Sequence, residues 1–87
     1  MFKKRRGIHI PYNRQGLIHF ICVNYEDMPD KIRDKIDRLC DEIGGEDAEA
    51  LFEVLTNDTK PIYGIATEFY VNEKKLYKMR KEFYETF

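Results

Sequence analysis

The chain has 87 residues, 43% hydrophobic and 36% charged, with six Phe and six Tyr. A chain this short buries only about 60 to 65% of the surface its unfolded form exposes, so it has room for one domain, 1–87, and one core. Its apolar share is enough to fill that core and excludes disorder of the whole chain. No run of about 18 uncharged apolar residues occurs, so neither a membrane span nor a membrane partner is expected, and the basic opening leads into no signal-like apolar stretch. Both point to the cytoplasm.

The net charge of −1 conceals a separation along the chain: residues 1–25 carry +5, residues 26–58 carry −8 and residues 59–87 carry +2. Local field, not net charge, decides what a phosphate backbone meets.

Residues 1–10 read as a basic N-terminal arm. Lys3, Lys4, Arg5 and Arg6 have nothing around them to bury them, which suits either a solvated, mobile terminus or an arm that grips phosphates. Residues 11–58 form a helical front half, entered at Pro11. Its first segment, 17–25 (LIHFICVNY), has the composition of a buried strand or a buried helix. Leu17, Phe20, Ile21 and Tyr25 are at helical spacing and no partner strand is evident later, so a helix with those residues inward is expected. Cys22 and Cys40 each sit inside an apolar pattern, which suits small buried hydrophobes in a reducing compartment better than a disulfide.

Residues 30–43 carry the clearest helical pattern, with Ile32, Ile36, Leu39, Cys40 and Ile43 on one stripe. Pro29 and Asp30 suit its start, Arg33 with Asp37 and Asp34 with Arg38 stand four apart as charge pairs, and Gly44 with Gly45 supplies the stop. A further helix over 46–55 turns Ala48, Leu51, Phe52 and Leu55 inward, and its early acids favour the positive end of the helix dipole. The cluster NDTKP at 57–61 then breaks it.

From Pro61 the chain reads PIYGIATEFYVNEKKLYKMRKEFYETF. Ile62, Ile65, Ala66 and Phe69 lie on one short helix and Leu76, Met79 and Phe83 on a second, with Tyr70 and Val71 between them and Asn72 placed to cap the second. The fold class expected is therefore all-α, a small domain of about five helices.

The order Ala66, Val71, Leu76, Met79 resembles the helix-turn-helix of bacterial and phage regulators. In that family a small residue lets the helices cross closely, a hydrophobic turn residue seals the junction and two apolar residues anchor the recognition helix. The ending LYKMRKEFY is also similar to the last helix of the sigma-factor domain that reads promoter DNA. RLCDEIGGEDAEALFEVLTN and YVNEKKLYKMRKEFYETF together resemble small regulators of Gram-positive phages and mobile elements. One position departs from the pattern, because Tyr70 stands where the family commonly has glycine. A left-handed tyrosine costs on the order of 1 kcal/mol or more, so a different or longer turn is expected.

The resemblance implies a DNA-binding protein, a transcriptional regulator or accessory factor, whose helix-turn-helix over 61–87 docks in the major groove of double-stranded DNA. It would place Asn72, Glu73, Lys74, Tyr77 and Lys78 towards the DNA, with Lys75, Arg80 and Lys81 adding charge and Lys3, Lys4, Arg5 and Arg6 on the backbone. A homodimer is expected because one short helix contacts few bases, with Phe20 and Tyr25, or Phe83, Tyr84 and Phe87, as the contact. The same lysines would equally form the solvated face of two ordinary bundle helices.

Catalysis is not expected. His9 and His19 lack neighbours at metal-ligand spacing, serine is absent, the cysteines have no adjacent base, and Gly44-Gly45 lacks the lysine of a phosphate loop, so neither metal nor cofactor is implied. The alternative function is an adaptor or inhibitor, an antirepressor or DNA mimic, whose acidic middle meets a basic protein partner.

Overall fold

A computed structural model describes residues 3–5 and 7–87, and among these all regular structure is helical, so the chain is all-α. Five α-helices follow in order: α1 (Tyr12–Val23), α2 (Asp30–Gly44), α3 (Ala48–Thr56), α4 (Ile62–Phe69) and α5 (Glu73–Thr86). Single 3-10 turns at Tyr25–Asp27 and Gly45–Asp47 lead into Pro29 and α3. None of the helices is long and apolar enough to cross a membrane.

Proline sets three of the starts. Pro11, Pro29 and Pro61 each precede a helix in extended conformation, and their carbonyls accept the first helical N–H groups, from Gln15, Ile32 and Gly64 among others. α2 stops where Gly45 takes φ 56° and ψ −123°, a combination essentially confined to glycine. Between α3 and α4, Asn57 Oδ1 accepts from both the backbone N–H and the hydroxyl of Thr59, at 3.0 and 2.6 Å, an Asx turn that explains the break at this cluster.

α3 packs against all four other helices and forms the centre of the fold. Its Ala50, Leu51 and Leu55 meet Ile36, Leu39 and Cys40 of α2, Ile62, Ile65 and Ala66 of α4, and Leu76, Met79, Phe83 and Tyr84 of α5 in one buried cluster. The radius of gyration of 12.0 Å matches the value of about 12 Å expected for a compact chain of this length. Both cysteines are free and buried. Burial pushes each thiol up to about 12, which leaves both neutral at physiological pH.

α1 is a helix, as its spacing predicts, and Ile21 and Tyr25 of the expected set pack on the core, but Leu17 and Phe20 do not. Gln15, Ile18 and Cys22 point inward, whereas Leu17 and Phe20 are 48% and 59% exposed. The reason is tertiary. The Gln15 amide donates to the carbonyls of Ile8 and Ile10 at 3.2 and 3.1 Å, and its oxygen accepts from the Arg5 N–H at 2.8 Å. A buried amide with its hydrogen bonds made is tolerated in a core, and here it fixes the rotation of the helix.

The same bonds shorten the expected arm. Ile8 is buried, Ile10 packs on the core, and the His9 N–H donates to Glu85 at 3.1 Å, so residues 8–10 belong to the folded body. The ion pairs on α2 also differ from the expected Arg33–Asp37 and Asp34–Arg38. Arg33 pairs with Asp30, Arg38 pairs with Glu42, and Asp37 instead accepts from the Tyr25 hydroxyl at 2.8 Å. Tyr25 is thereby held over Phe52, ring edge to face at 4.9 Å.

Candidate functional site

The junction of α4 and α5 is built by two successive caps. At the end of α4, Tyr70 takes φ 56° and ψ 40°, the left-handed region, and is the one described non-glycine residue with positive φ. The Val71 N–H donates to the Ala66 carbonyl at 2.9 Å and the Tyr70 N–H to that of Thr67 at 3.4 Å. This is a Schellman motif, the arrangement by which a left-handed residue satisfies the last carbonyls of a helix, and Val71 and Ala66 both join the core cluster beneath it. Two residues later, Asn72 Oδ1 accepts from the N–H groups of Lys74 and Lys75 at 2.8 and 3.4 Å and starts α5.

The expectation of a different or longer turn is therefore wrong. Only residues 70–72 separate the two helices. The closure against Ala66 and the cap at Asn72 hold Tyr70 in the conformation that glycine would adopt without strain.

Downstream of the turn, Leu76, Met79 and Phe83 face the core, and Lys74, Lys78 and Lys81 share the opposite face at spacings of four and three. Lys74 and Lys78 are exposed, Lys81 is half-buried, and Tyr77 stands beside them, 47% exposed. Glu73 lies at the positive end of the helix dipole.

Several residues grouped with this face by sequence lie elsewhere. Lys75 leaves the stripe for an ion pair with Asp47, at 2.5 Å, on the approach to α3. The Asn72 side-chain oxygen is occupied as a cap. Arg80 is half-buried, with its guanidinium 5.2 Å from the Tyr77 ring centre. Phe83 and Tyr84 are buried in the core, which removes them from any contact with a second subunit.

Of the basic arm, Lys3 and Lys4 are exposed, while Arg6 lies outside the described residues. Arg5 is pinned beside α5. Its Nε donates to the Tyr84 hydroxyl at 3.4 Å, its guanidinium lies 5.7 Å from that ring's centre, and its Nη2 reaches His19 Nδ1 at 3.2 Å. Because arginine only donates, His19 Nδ1 is the acceptor and the ring proton is on Nε2. Burial, with the Arg5 charge adding to it, holds His19 below the usual histidine value of 6.5.

The grouping of Arg5, His19 and Arg80 has no counterpart in sequence spacing. Three positions so far apart line one cleft only in the folded chain, and no local pattern signals it.

No known protein family, curated protein or solved structure matches the chain.

Proposed function

We propose that the protein binds double-stranded DNA through a helix-turn-helix formed by α4 and α5, acting as a transcriptional regulator or accessory factor of the phage or mobile-element kind. The observation that carries this reading is the three-residue turn in which Tyr70 is left-handed at the position the family commonly fills with glycine. It stands next to a helix whose outward face bears Lys74, Lys78 and Lys81. Strained backbone tends to persist where function uses it, and Tyr70 projects 97% exposed beside the start of the proposed recognition helix. On this reading Lys74, Lys78 and Lys81 meet phosphates, and Glu73 and Tyr77 lie towards base edges. Asn72 offers only its amide N–H groups, and Lys3 and Lys4 extend the basic surface. Lys75 contributes little while it is held by Asp47.

The test is a fluorescence-anisotropy titration of mixed-sequence duplex DNA at about 50 and 200 mM salt, a range over which phosphate-dominated binding weakens strongly. Wild type is compared with Lys74→Glu plus Lys78→Glu. Binding that falls with salt and disappears in the double variant, at unchanged helical circular dichroism, is the expected result. Equal binding by both proteins would remove α5 from the interface.

A second reading is favoured by a groove of about 480 Å³ between α2, α3 and α4, where Asp37, Asp41, Glu49 and Glu53 surround Cys40, Phe52 and Phe69. An apolar floor with an acidic rim suits a basic protein partner, as an antirepressor or DNA mimic would require. Absence of DNA binding even at the lower salt would favour it.

A further inference from the structure

We propose that the cleft between α1, the α3–α4 loop and the flank of α5 is an oxyanion site, taking a phosphate group between the guanidinium groups of Arg5 and Arg80. The cleft has a volume of about 390 Å³, and Arg5, His19, Asp58, Lys60, Tyr77 and Arg80 contribute its polar walls. This site goes beyond DNA recognition and stands on the cleft alone.

Charge is the first argument. Asp58 is the one carboxylate among the residues lining the cleft. Lys60 is already engaged by Glu68 at 2.7 Å and Glu53 at 3.8 Å. Arg80 forms no ion pair with a described carboxylate, and its Nε is a buried donor without an acceptor. Buried donors are nearly always satisfied, so an orphan on a charged group calls for a missing acceptor.

Proximity is the second. Burial, and next the neighbouring charge of Arg5, lower Arg80 to about 10, which leaves it cationic at neutral pH, and the two guanidinium groups repel each other across the cleft. An anion seated between them relieves the repulsion and supplies the acceptor. A phosphate, with several oxygens and up to two charges, suits a position facing two guanidinium groups better than a single carboxylate does. Tyr77 backs the Arg80 guanidinium with its ring and keeps it at the wall.

The experiment is an NMR titration of the full chain with inorganic phosphate, following the arginine Nε–H and histidine ring signals, against sodium chloride at matched ionic strength. The signals of Arg80 and His19 are expected to shift to a plateau, half-complete at or below about 10 mM, whereas general screening has no plateau. Arg80→Gln should weaken binding at least about tenfold, by loss of a charge-assisted pair. Arg80→Lys, which keeps the charge and the packing stem but loses the fork, should bind at an intermediate strength and guards against misfolding of the first variant.

Adding a short duplex identifies the source of the phosphate. Competition for the same signals assigns the cleft to a backbone phosphate, and saturation without competition assigns it to a small free phosphate. Shifts no larger than those in chloride, or a plateau unchanged in folded Arg80→Gln, would overturn the site.

Discussion

A tyrosine held at φ 56° and 97% exposed gains little from packing to offset its backbone conformation. The left-handed region places Cβ against the following carbonyl, at a cost of about 1 to 2 kcal/mol that glycine does not bear. Tyr70→Gly is therefore expected to raise stability by about 1 kcal/mol, after allowing for the greater freedom glycine has when unfolded. For a domain of this size that is roughly 4 to 8 °C in melting temperature. Thermal unfolding followed by circular dichroism checks it, and a lower melting temperature would mean that the tyrosine ring supports the turn by contacts that outweigh the strain. The sequence places Tyr70 at this position, but the strain argument points to a longer turn. What overrides local preference is the pair of hydrogen bonds to Ala66 and Thr67 together with burial of Val71, energies that only the assembled junction supplies.

At the scale of the elements, α5 depends on its first turn. Its exposed face carries lysines close together, and four N–H groups at its start have no helical partners. Asn72 satisfies two of them. Asn72→Ala should cost about 1 kcal/mol, and Asn72→Ser, which keeps an acceptor at the cap, should recover most of it. Chemical denaturation of the two variants separates the outcomes, because equal losses would mean that the capping oxygen is not what stabilises the start. The inward faces of α2, α4 and α5 were legible from apolar spacing, because each is a strongly two-sided helix on a single core. The face of α1 was not. Nearly every position from Leu17 to Val23 is apolar, so the pattern leaves its rotation open, and the choice falls to Gln15 and its bonds to Arg5, Ile8 and Ile10. Arg80 was misplaced for a similar reason. An arginine on a basic helix reads as surface charge, and the docking of Arg5, Ile8 and His9 beside α5 encloses it.

At the scale of the whole molecule, a single α5 docked in DNA, as proposed, would span few base pairs. Two copies would double the contact and match a two-fold site. Of the segments expected to join them, the C-terminal aromatics are occupied: Phe83 and Tyr84 are 0% and 3% exposed, and the Phe87 ring lies 4.1 Å from Lys35 Nζ and 5.8 Å from the Arg14 guanidinium carbon. Tyr25 is held by Asp37 and Phe52. Leu17 and Phe20 are left, on a helix whose polar Gln15 has turned them outward. An isologous contact brings the same patch from both copies together, so one substitution acts twice. We therefore predict that the chain dimerises through α1 and that Phe20→Asp shifts it towards monomer. Its circular dichroism should be unchanged, because the side chain contributes little to its own core. Light scattering coupled to size exclusion, over a range of protein concentrations, reads the mass directly. A monomeric wild type at every concentration would remove the α1 dimer, and the proposed DNA binding would then have to rest on one copy of α5 and the basic residues beside it.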